Sequence, residues 1–485
     1  MTTGERSARR VFDPRRDELF AASIALANFD RDPTPPRELA AAWTRRVSSP
    51  NQASDRRYPW PIGARFVDLP EYVPPPETWT AWLPAEEEVR LRERNAFEGR
   101  LLLAPILADT LELLSRLADD GDPHAVAILA TAMPVMRRDM AAASFGDHAR
   151  ADTWALWNLA RRPHALRRLQ PFALAIADTF GPRVVADGGA ALGDRFPFHG
   201  RPLVSVSAQL ASGLLALGIQ PGVIGKLAAW VAKQQRRDGG FGEVSEPSDP
   251  LTTLVAVSLL AGNDPGWDPA SATRWLESRR RPDGIVVAYG PEAAWLTMAV
   301  DELVECAARP FPERFAWPQL SVEHRDRRTG LPFLGYLADL ERVFDEVPAL
   351  HDMKLEIAFL DLAHFGEWNT AFGMSKGDDV LRFLARELRR IPDAVAIRDG
   401  GDEFMVVSAP GMGGLVERMD AFRREFLPRF LAEFGRGATP VAARVVTTTA
   451  RGPELIAARD RLGEAINDVK RLHEDPGSEG VSVAV

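Results

Sequence analysis

AVAIRDGGDEFMVV, residues 394–407, sets two short apolar runs on either side of a turn. Ala394–Ile397 and Phe404–Val407 have the make-up of strands, and Asp399, Gly400, Gly401 and Asp402 that of the turn between them, so the stretch reads as a β-hairpin. An acidic hairpin tip is by itself only a soluble turn. Whether Asp402 and Glu403 do chemistry depends on what the rest of the chain brings to them. Asp361 ends the apolar run LEIAFLDL, 355–362, which reads as a buried strand, and active-site groups in α/β sheets gather at strand ends. If that strand neighbours the hairpin, Asp361, Asp402 and Glu403 converge. Three ionised carboxylates crowd together only around a cation. Hard oxygen ligands suit Mg²⁺ or Mn²⁺ bridging substrate phosphates, and two such ions can support in-line attack on a phosphate. The same spacing also fits Asp361 capping the next turn while Asp402 and Glu403 face water.

Working outward, helical and strand patterns alternate. Gly335–Phe344, Val380–Leu388, Leu415–Glu433 and Pro453–Leu472 carry apolar residues at helical spacing, and Pro440–Val446 and Gly480–Val485 read as strands. This is an α/β domain with helices covering a sheet.

Three motifs in order give that domain a resemblance: Asp326-Arg-Arg-Thr-Gly-Leu-Pro, the run from Phe359-Leu-Asp-Leu to Gly377-Asp-Asp-Val-Leu, and Arg398-Asp-Gly-Gly-Asp-Glu-Phe. Together they resemble a GGDEF domain over residues 321–485. The resemblance implies a palm-like α/β fold and diguanylate cyclase activity, joining two GTP into cyclic di-GMP in a face-to-face homodimer. It implies that Asp361, the Leu362 carbonyl, Asp402 and Glu403 hold Mg²⁺ or Mn²⁺ and carry catalysis. It implies that Asn369 and Asp378 read guanine, that Gly400 and Gly401 let the backbone approach the phosphates, and that Lys470 binds phosphate. A carboxylate and an amide are chemically able to read the guanine edge. Without the resemblance, Asn369 is a turn-former and Asp378 an N-cap of the Val380 helix. The chain departs from the family at Ala363, Gly366, Thr370 and Met374, and at Glu474, where the resemblance implies a second phosphate-binding cation. Arg471 or Lys376 are the cations at hand to compensate. The thinned phosphate contacts leave a second reading, a non-catalytic module that binds GTP or cyclic di-GMP. Arg390-Ile391-Pro392-Asp393 has the letters of a product-inhibition site but stands one residue out of register.

Upstream the chain is different. Residues 1–100 are a Pro- and Trp-rich arm, with Trp60, Trp79 and Trp82 and two short helices near 17–27 and 36–47. Residues 101–309 are helical throughout, and 310–320 are a Pro-rich linker. Within the helical region a unit recurs: Trp230 precedes Asp238-Gly239 at the spacing at which Trp275 precedes Asp283-Gly284, and Asp187-Gly188-Gly189 adds a third turn. The Gln235–Gly242 run and the apolar helix after it resemble the α/α-toroid repeats of terpene cyclases and protein prenyltransferases. The acid and diphosphate motifs of those enzymes are absent. The Asp119–Asp122 run reads as a solvated loop, and Cys306 as a small core residue. The region reads as a regulatory or dimerising scaffold, its centre either open to an apolar ligand or filled by its own side chains. The expected fold is therefore multidomain: all-α, then α/β.

The net charge of −9 argues against duplex nucleic acid as the main partner. A single cysteine rules out an internal disulfide and a thiolate zinc site. The charged N-terminus lacks a signal-peptide core, and no apolar run is long enough for a membrane span, which fits a cytoplasmic location.

Overall fold

Lys354–Ala363 (β1) is buried at every position from Ile357 onward, which is why it reads as a nearly unbroken apolar run. It is the middle strand of a five-stranded sheet, in a computed structural model that describes residues 21–29, 34–47, 104–130, 133, 149–180, 184, 188–190, 202–244, 246–282, 284, 286, 292–315, 317–318, 325–391, 394–409, 414–435, 441–472 and 482–484. The other strands are Ala394–Gly400 (β2), Glu403–Ser408 (β3), Ala442–Arg451 (β4) and Ser482–Ala484 (β5), in the order β2-β3-β1-β4-β5. The first four pair antiparallel, and β5 joins β4 in parallel. β4 runs five residues beyond the expected Val446 because Thr447–Arg451 continue to pair with β1.

Five helices belong to this sheet: Gly335–Glu346 (α1), Phe365–Phe372 (α2), Met374–Leu388 (α3), Leu415–Phe434 (α4) and Leu455–Leu472 (α5). Ala358, Leu360 and Leu362 point to one face, into a core with Trp368, Val380, Leu384, Phe426 and Phe430. The intervening positions of β1, Asp361 among them, take the face that α5 covers. The short helix α2 lies where the sequence suggested only a turn, so Asn369 is helical. Helix α3 begins at Met374, with Gly373 as N-cap. Asp378 is therefore inside the helix and does not cap it. The linker also holds one helical turn, Phe311–Arg314.

By internal contacts the chain separates into two units. One comprises residues 1–216, 226–261 and 268–308, and the other 217–225, 262–267 and 309–485. The first is mostly helical among its described residues. Its helices include Ala149–Ala160, Gln170–Phe180, Val204–Leu217, Pro250–Asn263, Ala270–Ser278 and Glu292–Ala307, and 104–119 and 123–130. Three glycine turns in this unit share a local geometry. Gly188, Gly239 and Gly284 all have positive φ. The next N–H but one, of Ala190, Phe241 and Val286, donates to Ser207 Oγ, Thr253 Oγ1 and Thr297 Oγ1 respectively. Each turn is thereby tied to a hydroxyl in the helix that follows. Asp187, Asp283, Trp60, Trp79 and Trp82 lie outside the described residues. No helix among the described residues is long and apolar enough to cross a membrane.

Candidate functional site

The pairing register decides what meets Asp361. Across β1 and β3 its direct partner is Glu403, and across β1 and β4 it is Arg444. Directly opposed residues share a face, so Glu403, Asp361 and Arg444 form one row over three adjacent strands. Lys470 reaches the row from α5. Its Nζ lies 2.7 Å from Asp361 Oδ1 and donates to Glu403 Oε1 at 3.0 Å. Arg444 Nη1 donates to Asp361 Oδ2 at 3.0 Å. Asp361 is buried and Glu403 half-buried.

Asp402 sits in the turn between β2 and β3. Burial first, then the nearby Asp361 carboxylate, pushes its carboxyl above the usual range. Burial opposes the charge on Lys470, but its bonds to Asp361 and Glu403 outweigh that and raise it. Among the described residues no three His, Cys, Asp or Glu side chains meet to hold a metal. Asp361 and Glu403 converge directly on Lys470, and Asp402 is close enough for the charges of both to act on it. The donors still suit a hard divalent ion: two carboxylates already converge on one cationic point.

The turn itself is braced from behind. Arg398 is buried and donates to Asp326 Oδ2 and to the Gly401 carbonyl, both at 2.6 Å. The Asp326 carboxylate also accepts from Thr329 Oγ1 and N. A register shift between Arg398 and Gly400 bulges β2 at Asp399. The Asp399 carboxylate then takes two bonds from Arg459 of α5, at 3.0 and 2.6 Å. In front, a Cβ at Gly400 or Gly401 would meet no atom within 4 Å. Gly401 needs glycine for its φ of +48°. Gly400 is bordered by open space that a ligand can enter.

Farther along, Asn369 and Asp378 are brought to neighbouring turns of α2 and α3. Gly377 is the reason they fit, since a Cβ there would lie 1.9 Å from Asn369 Oδ1. That oxygen is buried and accepts no hydrogen bond. Asp378 is held by Arg328 at 3.1 Å, an exposed and displaceable partner. Ala363 is buried, and Gly366 has open space where a side chain would stand. Neither expected substitute cation reaches the row: Lys376 pairs with Asp379, and Arg471 with Asp468. Arg390 bonds to Glu387. Asp393 and Glu474 lie outside the described residues. Arg444 is the residue that sequence reasoning missed. Its signal was a lone charge inside the strand VAARVVTTTA, which means nothing until the register sets it beside Asp361.

Residues 323–415 match the family described as "Diguanylate cyclase, GGDEF domain". The chain is 33% identical over 116 residues to the signaling protein YkoW of Bacillus subtilis, covering 23% of this chain and 14% of that one. It is 42% identical over 87 residues to the diguanylate cyclase DgcP of Pseudomonas aeruginosa, covering 17% and 12%. The chain thus spans about an eighth of the length of these curated relatives. Among solved structures it is similar to the coiled coil and GGDEF domain of DgcB from Caulobacter crescentus in complex with c-di-GMP. That similarity has 23% identity and a TM-score of 0.28, and covers 34% of this chain and 86% of that one.

Proposed function

We propose that this chain, whose residues 323–415 are a GGDEF domain, condenses two GTP molecules into cyclic di-GMP. The observation that carries the reading is the Asp361–Glu403 pair, set by strand register around one cationic point beside the open turn at Gly400-Gly401. In this reading Asp361, Glu403 and the Leu362 carbonyl hold Mg²⁺, which when bound neutralises phosphate charge and acidifies the attacking 3′-hydroxyl. Asp402, at the tip of the turn, takes that hydroxyl's proton. Gly400 and Gly401 admit the phosphates against the backbone. Lys470 moves from the carboxylates to the phosphates, exchanging one anionic partner for another. The Asn369 amide, whose Oδ1 accepts no hydrogen bond, and the Asp378 carboxylate bond the guanine edge. Each domain holds one GTP, so cyclisation needs two copies face to face, and the helical unit brings the copies together and regulates them.

The test is direct. Purified protein with GTP and Mg²⁺ gives a cyclic dinucleotide by mass spectrometry, and Glu403→Gln gives none. Absence of product at every protein concentration refutes the cyclase.

A second reading is favoured by the two cations already on Asp361 and by the side chain missing at Gly366. In that reading the domain binds GTP or cyclic di-GMP without turnover. Calorimetry that finds binding in a preparation with no product selects it.

A further inference from the structure

Asp361 has two carboxylate oxygens, and the chain's own cations engage both. They differ in how they can leave. Lys470 sits on a flexible stem at the rim of the row, with 30% of its side chain exposed. Its ammonium is shared between Asp361 and Glu403, so one swing frees an oxygen of each. Arg444 is more enclosed, with 16% exposed. It is fixed beside Asp361 by the pairing of β1 with β4, and its guanidinium does not lose its proton. When phosphates draw Lys470 away, Asp361 Oδ1 and Glu403 Oε1 become available while Oδ2 stays bonded to Arg444.

Two-metal sites hold their ions about 3.5–4 Å apart, close enough for one carboxylate to serve both. Asp361 is the carboxylate at the centre of this row, and a divalent ion at its Oδ2 would stand against the fixed positive charge of Arg444, whose Nη1 lies 3.0 Å from that oxygen.

We propose that Arg444 is a resident cation that takes the place of one divalent ion, so that the site binds a single metal with each nucleotide. This rests on the reading of the row as a nucleotide and metal site. The guanidinium supplies a permanent positive charge where a second ion would otherwise sit.

The experiment counts metal without turnover. Full-length protein is titrated with Mn²⁺ and a GTP analogue carrying a methylene between the α- and β-phosphates, and free Mn²⁺ is read by electron paramagnetic resonance. The native protein takes up one Mn²⁺ per bound analogue. Arg444→Thr and Arg444→Gln, the second keeping a polar side chain in case the first does not fold, take up two. Lys470→Gln removes a charge of the same sign yet stays at one. Two Mn²⁺ in the native protein, one in both Arg444 variants, or two in Lys470→Gln each overturns the inference. If no protein binds the analogue, the nucleotide reading itself fails, and the inference with it.

Discussion

The chain writes Arg-Asp-Gly-Gly twice, at 237–240 in the helical unit and at 398–401 in the α/β unit. The two turns are built for opposite ends. In the first, the glycines are pressed by the protein itself: a Cβ at Gly239 would lie 2.7 Å from the Ser271 carbonyl oxygen, and one at Gly240 would lie 2.7 Å from the Trp275 ring. In the second, a Cβ on either glycine would meet nothing within 4 Å. Asp238 bonds Gly240 N, Ser248 Oγ and Trp275 Nε1. The acid that follows, Glu243, is buried and accepts from Val204 N, Ser205 N and Ser205 Oγ, capping the helix Val204–Leu217. Its counterpart, Glu403, shares one lysine with Asp361. Identical letters are thus a packed corner in one place and an accessible corner in the other. What separates them is whether the protein fills the space in front of the glycines.

The sharpest test of that contrast exchanges the acids for amides. Glu403→Gln should leave the melting temperature unchanged and lower cyclase activity at least about 100-fold, roughly 2.7 kcal/mol of barrier. Glu243→Gln should do the reverse. It weakens charge-assisted bonds to a helix N-terminus worth about 1.5–3 kcal/mol and leaves GTP binding alone. A chain in which both substitutions act on stability alone would have two packed corners.

The arginines differ as well. Arg237 is exposed, while Arg398 is buried against Asp326. Asp326→Asn should cost about 3 kcal/mol at neutral pH by leaving Arg398 buried without a charge partner. Burial resists ionisation of Asp326, but its bonds to Thr329 and Arg398 prevail and hold its carboxyl below the usual range. A depressed carboxyl stabilises the fold fully above its unfolded value of about 3.9, and that stability is lost as pH falls through the folded value. The gap between native and variant melting temperatures should therefore begin to narrow below about pH 4 and close only once pH has fallen past the depressed folded value. A gap that does not narrow as pH falls past that value would assign the cost to packing.

The glycines give a smaller but cleaner contrast. Gly240→Ala forces a methyl into the Trp275 ring and should cost about 1–3 kcal/mol. Gly400→Ala has room in the protein, so thermal unfolding should not change. If phosphates approach the backbone there, affinity for the GTP analogue should fall about tenfold, roughly 1.4 kcal/mol. Unchanged affinity would move the phosphates elsewhere.

How much of this the sequence disclosed follows from which forces are local. The hairpin, the β1 run and most helices follow from short-range periodicity, and their positions agree with the structure within a few residues. The pairing of Asp361 with Glu403 was conditional on strand adjacency, and the antiparallel register of β1 and β3 supplies it. Helix α2 was missed because it is only eight residues long and its apolar positions serve a core of distant partners, Trp368 meeting Phe430 and Phe434 edge to face. Arg444 was missed because its meaning is wholly non-local. Asp378 read as a cap of the Val380 helix apart from the resemblance, and the start of α3 at Met374 sets it inside the helix instead.

Gly366 tests the contrast from the other side, because it is a glycine that nothing in the protein requires. No atom stands within 4 Å of where its Cβ would be, and its backbone is not left-handed. It lies in the first turn of α2 and is exposed. Lysine there gains up to about 0.8–1 kcal/mol of helix propensity over glycine, less a few tenths for a cation near a helix N-terminus. Gly366→Lys should therefore fold at least as well as the native chain. If the open space beside the row is where phosphates lie, the new ammonium adds one charge-assisted bond, worth about 1.5 kcal/mol or a little over tenfold in affinity for the GTP analogue. A matching rise in cyclase rate would identify the native protein as a cyclase limited by phosphate binding. Tighter binding with no turnover would place the limit at the cations on Asp361, which lysine at 366 leaves where they are. No change in either quantity would mean that Gly366 lies away from the phosphates, and that the open corner extends only as far as Gly400 and Gly401.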